Sequence, residues 1–142
     1  MGDILFSNEI MQYINMASKI TKAGIIDCMI VDDDRLVFIV QKGQLGIAIG
    51  IKAKNIEKLR NLFKKNIKFV EYTEDKEQFV VNLFKPYKVN NIVLEGNDDS
   101  PIAKVEVDRN EKSKIIGKGG KNIDIIRQLA SRHHNIKDVQ IK

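Results

Sequence analysis

The chain carries one short sequence twice, 67 residues apart, and that spacing constrains its fold more than any other feature. Ile49, Gly50, Lys54, Asn55 and Ile56 recur as Ile116, Gly117, Lys121, Asn122 and Ile123. A period of about half the 142 residues implies two copies of one supersecondary unit. Units of about 70 residues have only a marginal core of their own, so two of them gain from being joined.

Hydrophobic periodicity gives both halves the same order of elements. In the first, Ser7 or Asn8 caps a helix with Ile10, Ile14, Ala17 and Ile20 on one stripe and Gly24 as its terminator. Strands at 26–31 and 36–40 flank the acidic turn at 32–35, a short helix covers 44–49, and the Gly50 loop follows. Ile56, Leu59, Leu62 and Phe63 then mark an amphipathic helix, and 67–72 is a strand. In the second half, Glu74, Asp75 and Glu77 open a helix that buries Phe79, Val80, Leu83 and Phe84 and stops at Pro86. Strands at 88–95 and 102–108, a short helix at 111–116, the loop at 117–120, a long helix at 121–133 and a strand at 137–141 complete it. The expected domains are 1–73 and 74–142. Their junction, 72–75, has no Gly/Ser-rich or proline-rich linker, so the two are expected to be rigidly joined.

The second loop is built to lie against phosphate. Gly117, Gly119 and Gly120 let a backbone approach closely, Lys118 and Lys121 add positive charge, and the helix that follows offers its N-terminal amides to an anion. Lys112 and Lys114 before the loop and Arg127 after it extend a basic rim; for Lys112 an ordinary solvated face is an equal alternative. Ile115, Ile116, Ile123 and Ile126 supply either an aliphatic groove beside the loop or core at helical spacing. In the first copy Gly50, Lys52, Ala53 and Lys54 are weaker candidates. Ala53 replaces the last glycine, and Ile51 stands where the second copy has Lys118. That copy either extends the contact or chiefly supports the second.

A Gly-x-x-Gly turn between two helices, entered from a strand and left into one, resembles the KH module. The extra helix and strand ahead of that core resemble its type II form, so the fold class is α+β: two tandem type II KH domains, each α-β-β-α-α-β. The resemblance implies that single-stranded nucleic acid, about four nucleotides per module, has its backbone clamped by the loop and its bases in the adjacent groove. On it, Gly117, Lys118, Gly119, Gly120, Lys121, Lys114, Ile116, Ile123 and Arg127 are the RNA-binding candidates. An aliphatic groove fits an aromatic content of only 6%. The stacked-aromatic signature of sheet-surface RNA readers is absent.

Other chemistries find little support. The loop lacks the Ser/Thr that follows lysine in a nucleotide-hydrolase P-loop. His133 and His134, adjacent on a helix, diverge by about 100 degrees and do not chelate one metal; the Asp32, Asp33, Asp34 and Asp98, Asp99 groups belong to hairpin turns, where aspartate is common without a cation. No nucleophile and base pair up, so no enzyme, metal or cofactor is expected. Cys28, the one cysteine, permits no internal disulfide and reads as a small buried hydrophobe. With Asp3 and Glu9 near its start, no signal-peptide pattern and no apolar run of about 18 residues, the chain is expected to be soluble and cytoplasmic. A net charge of +5 favours an anionic partner without specifying one.

Two such modules in tandem resemble the NusA family of transcription factors in its short archaeal form, most closely at 116–123 and at Ala130, Ser131, Arg132, His133 and His134. The resemblance implies an RNA-binding factor that engages single-stranded nascent RNA in transcription termination or antitermination, with RNA polymerase as a further partner. The polymerase-binding and S1 domains of bacterial relatives have no counterpart in this sequence. The alternative expectation is a protein-interaction adaptor docking on RNA polymerase or a ribosomal particle through its KH surfaces.

Overall fold

The computed structural model describes residues 7–142. The first six residues of the expected first domain, Asp3 among them, lie outside these. The described residues form two compact units, 7–73 and Glu74–Lys142, each mixed α+β around a three-stranded sheet.

In the first unit, helix α1 (Asn8–Thr21) starts where the Ser7 hydroxyl accepts the Ile10 amide at 3.2 Å. It ends sooner than Gly24 would allow, because Lys22 takes the left-handed cap at φ 64° and its amide bonds the Ser18 carbonyl. Strands β1 (Ile25–Val31) and β2 (Arg35–Val40) pair antiparallel through the acidic turn, with Cys28 opposite Phe38. The Lys65 ammonium donates to the Asp33 carbonyl, so the turn is tied by its backbone. Helices α2 (Leu45–Ile49) and α3 (Lys54–Phe63) then carry the chain over to β3 (Asn66–Glu71), which lies parallel to β2 with Phe69 beside Phe38. Parallel neighbours require such a crossover, and it holds the loop of interest between its helices.

A core of Ala17, Cys28, Leu36, Phe38, Val40, Ala48, Leu59 and Phe69 joins the helices to one sheet face. Burying Leu36 and Phe38 completely contributes about 2–3 kcal/mol each. Leu62 departs from the expected stripe. It is exposed, because the buried line of α3 runs through Ile56, Leu59 and Phe63, and Leu62 falls beside it.

The second unit repeats the order. Asp75 caps α4 (Lys76–Phe84) by accepting the Gln78 amide at 3.1 Å. Phe79, Val80, Leu83 and Phe84 are buried as the pattern requires, and the helix stops two residues before Pro86 because the residue preceding a proline is held extended. Strands β4 (Val89–Glu95) and β5 (Ile102–Val107) pair antiparallel, and α5 (Lys112–Ile116) and α6 (Lys121–His134) cross to β6 (Asp138–Ile141), parallel to β5. His133 and His134 both meet the Phe79 ring, at 5.7 and 5.2 Å between centroids, which makes them packing partners of α4. Among the described residues no helix is long and apolar enough to cross a membrane, and no three His, Cys, Asp or Glu side chains converge as metal ligands.

Candidate nucleic-acid interface

The two loops share a backbone, although they share few side chains. Gly117 lies at φ 79°, ψ 170° and Gly50 at φ 79°, ψ 168°; these close α5 and α2, with amides bonded to the Ser113 and Gly46 carbonyls at 3.0 and 2.9 Å. Gly119 (φ 65°, ψ 18°) matches Lys52 (φ 53°, ψ 35°), and Gly120 (φ 76°, ψ 13°) matches Ala53 (φ 59°, ψ 28°). In each loop the fourth amide bonds back to the first carbonyl at 3.1 Å, Gly120 to Gly117 and Ala53 to Gly50. Lys52 and Ala53 thus occupy a left-handed well that suits glycine and disfavours residues bearing Cβ.

A side chain holds this shape. Asn122, the second residue of α6, donates from Nδ2 to the Lys114 carbonyl at 3.2 Å, and Asn55 does the same to the Ile47 carbonyl at 3.0 Å. Each amide staples the short helix to the long one across the loop. It also explains the first glycine: a Cβ on Gly117 would stand 2.8 Å from Asn122 Cγ, and one on Gly50 2.9 Å from Asn55 Nδ2. In the sequence the two asparagines are visible only as a match between copies.

The candidate residues of the second copy separate into two groups. Lys114, Lys118, Gly119 and Lys121 are exposed, with Gly117, Gly120 and Lys112 partly so. The bonds that close the loop use the amides of Gly117, Gly120 and Lys121 and leave those of Lys118 and Gly119 out. Exposed lysines, two uninvolved amides and the start of a 14-residue helix make an anion-receiving edge. No Cβ clash guards Gly119 or Gly120, so the surface above them is open.

Other candidates have partners within the fold. Ile123 is 4% exposed and, with Ile115 and Ile126, belongs to the core, because α6 turns that stripe onto the sheet; Ile116 alone is half-buried beside the loop. Arg127 is also committed. Its Nε lies 3.1 Å from the Val139 carbonyl and 3.1 Å from Asp138 Oδ1, and its NH1 3.3 Å from Asp124 Oδ1. It pins α6 to β6 with its charge matched by two carboxylates, an arrangement invisible in a sequence where Arg127 is one more cation after a basic loop.

In the first copy Gly50 is half-buried, while Lys52, Ala53 and Lys54 are exposed. Ile51 is 84% exposed at the tip. Away from that loop, on β3, burial and then the nearby Arg35 lower the Lys68 ammonium to a pKa of about 8.

Comparison with known proteins finds KH-domain relatives. The family model described as "KH domain" matches residues 9–93, and that described as "NusA-like second KH domain" matches 76–142. Two curated relatives, each named "Probable transcription termination protein NusA", are 33% identical (Halococcus morrhuae) and 35% identical (Halobacterium salinarum), over 97% of this chain and 98% of theirs. The solved crystal structure titled APE1850 superposes with a TM-score of 0.76 at 34% identity, over 96% of this chain and 100% of that one.

Proposed function

The chain belongs to the NusA family of KH-domain proteins, and on that footing we propose that it binds single-stranded nascent RNA and takes part in transcription termination or antitermination. The observation that carries the reading is the second loop: an open glycine turn, closed by its own hydrogen bonds and the Asn122 staple, with exposed lysines around it. It acts by binding, with no bond made or broken.

The domains are 1–73, with the altered loop, and 74–142, with the intact one. The order α-β-β-α-α-β, with the last strand parallel to the second, supports the type II form of the KH module. The linker-free junction at 72–75 supports rigid joining. Gly117, Lys118, Gly119, Gly120, Lys121 and Lys114 meet the RNA backbone, Ile116 borders the bases, and Ile123 and Arg127 hold α6 in place behind them. Gly50, Lys52, Ala53 and Lys54 form the weaker contact. RNA polymerase is the protein partner that the family suggests, and a role in transcription supports a cytoplasmic location.

Gly119→Asp with Gly120→Asp tests the site. Both positions have open space at Cβ, and aspartate tolerates the left-handed backbone better than most residues, so the strain at φ 65° and 76° is modest and circular dichroism checks that the variant is folded. Two carboxylates at the phosphate edge should then lower affinity for single-stranded RNA at least tenfold. An unchanged titration with the folded variant refutes the assignment.

A further inference from the structure

Helices α3 and α6 correspond in sequence but end differently, and the difference leaves an apolar groove open in the first unit. Offset by 67 residues, α3 closes at Phe63, the counterpart of Ala130, where Lys64 takes the left-handed cap. Helix α6 runs one turn further, through 131–134, and that turn sets His133 and His134 against Phe79 of α4. The first unit has no such turn. Accordingly Leu129 is 1% exposed, whereas its counterpart Leu62 is 46% exposed.

The flank on which Leu62 lies follows from α6. Arg127 reaches β6 from one flank of that helix, and Leu129, two residues on and about 200° round, lies on the other. Leu62 therefore faces away from β3, on the side of α1. On α1 the flank that meets α3 is marked by Tyr13, whose ring stands edge-on to Phe63 at 4.9 Å between centroids. Met16, three residues beyond Tyr13 and so on the same flank, is 41% exposed. Tyr13 and Phe63 are themselves only half-buried. Single exposed apolar residues are ordinary surface, but here two of them border a partly open aromatic pair.

Cations rim the groove. Lys58 lies one turn before Leu62 and Lys19 three residues after Met16; both are exposed, and neither has an ion-pair partner among the described residues. Together the two helices carry Glu9 and Glu57 against Lys19, Lys54, Lys58 and Arg60, and the counterpart of Lys58 in α6 is Ile125. An apolar strip between helices with a cationic border complements an amphipathic helix whose polar side is acidic. We propose that the α1/α3 groove of the first unit docks an acidic amphipathic helix of a partner protein, whose apolar side covers Met16 and Leu62 and whose carboxylates meet Lys19 and Lys58. The surface uses neither glycine loop and stands independently of the RNA-binding reading.

The test uses the full chain labelled at its methionine methyl groups. The probe is a synthetic peptide of about 18 residues, with leucine at every third or fourth position and glutamate between, against a scrambled peptide of the same composition. The amphipathic peptide should shift the Met16 methyl resonance and leave two internal controls in place: Met11, equally exposed on the opposite flank of α1, and the buried Met29. The scrambled peptide should shift none of them. Leu62→Ser should weaken the peptide roughly tenfold by fluorescence anisotropy. Lys58→Glu, also at an exposed position, should weaken it most at low salt. Leu62→Ser should still bind single-stranded RNA with wild-type affinity and an unchanged salt slope, the dependence of log affinity on log salt.

Absence of a Met16 shift, or peptide affinity indifferent to Leu62→Ser, overturns the inference, as does a shift at Met11 in place of Met16. A Met16 shift produced by single-stranded RNA instead of the peptide assigns the groove to nucleic acid. One produced by raising the protein concentration alone assigns it to a second copy of the chain. Either result also overturns the proposal.

Discussion

Replacing Ala53 by glycine should raise stability, the opposite of what glycine does in a helix interior. Ala53 is held at φ 59°, ψ 28°, where an L-residue is disfavoured by about 1–2 kcal/mol and glycine is not. Glycine also enlarges the entropy of the unfolded chain, which offsets about 0.4–1 kcal/mol of that relief. Ala53 is exposed, so no buried methyl is lost and the backbone terms decide the sign. The net gain is about 0.5–1 kcal/mol, and Lys52→Gly at φ 53° should add a similar increment.

The assay is urea unfolding at unchanged m-value, supported by thermal melting. A gain of 1 kcal/mol raises Tm by roughly 2–4 °C in a chain of this size, or 4–8 °C if the first unit melts separately. Gly120→Ala is the reciprocal change, since that residue has φ 76°, ψ 13° and open space at Cβ; it should lose a comparable amount. A fall in stability for Ala53→Gly, or a rise for Gly120→Ala, refutes the claim that left-handed backbone strain dominates these positions.

Three further outcomes are expected. Gly117→Ala combines a glycine-only backbone with a Cβ 2.8 Å from Asn122 Cγ, and should cost about 2–3 kcal/mol in the same unfolding assay, well beyond Gly120→Ala. Asn122→Ala removes the staple to the Lys114 carbonyl; it should cost about 1 kcal/mol and weaken RNA binding while leaving the salt slope at its wild-type value. Lys68 has a folded pKa of about 8 against an ordinary 10.5, so below pH 8 both states are protonated and its burial penalty is fully present. Between pH 8 and 10.5 the unfolded chain holds the extra proton and stability rises with pH, by at most about 3 kcal/mol. Subtracting the curve of Lys68→Met isolates that rise, and a difference flat across the window would contradict the assignment.

The sequence showed most of the fold because its signals were local and doubled. Ser7 and Asp75 cap where a short polar residue precedes an apolar stripe, and Phe79, Val80, Leu83 and Phe84 face inward where 3.6-residue spacing puts them. What escaped was set by tertiary partners. Lys22 displaced Gly24 as a helix cap because its own amide reached Ser18, and Leu62 fell outside a stripe whose edge is fixed by packing on α1 and β3. In the site, the glycines and lysines of the second loop were legible by type and spacing. Arg127 was not, because Asp138 and the Val139 carbonyl reach it only after β6 has folded back. Asn55 and Asn122 were visible as a coincidence between copies, but their work depends on carbonyls eight residues earlier, a relation that no single periodicity encodes.

Each loop lies inside the crossover that joins parallel strands, and this sets when it can exist. The hairpins β1/β2 and β4/β5 close between near neighbours in the chain, whereas Phe38 meets Phe69 and Val105 meets Ile141 only after the helices have been wrapped. Partial opening that detaches β3 or β6 therefore releases the loops' supporting helices while leaving hairpins largely paired. On the proposed assignment, the grip on an anionic strand is thereby coupled to complete folding of its own unit. A strand bound at the proposed loops would, in turn, stabilise the part of each unit that closes through the non-local β2/β3 and β5/β6 pairings.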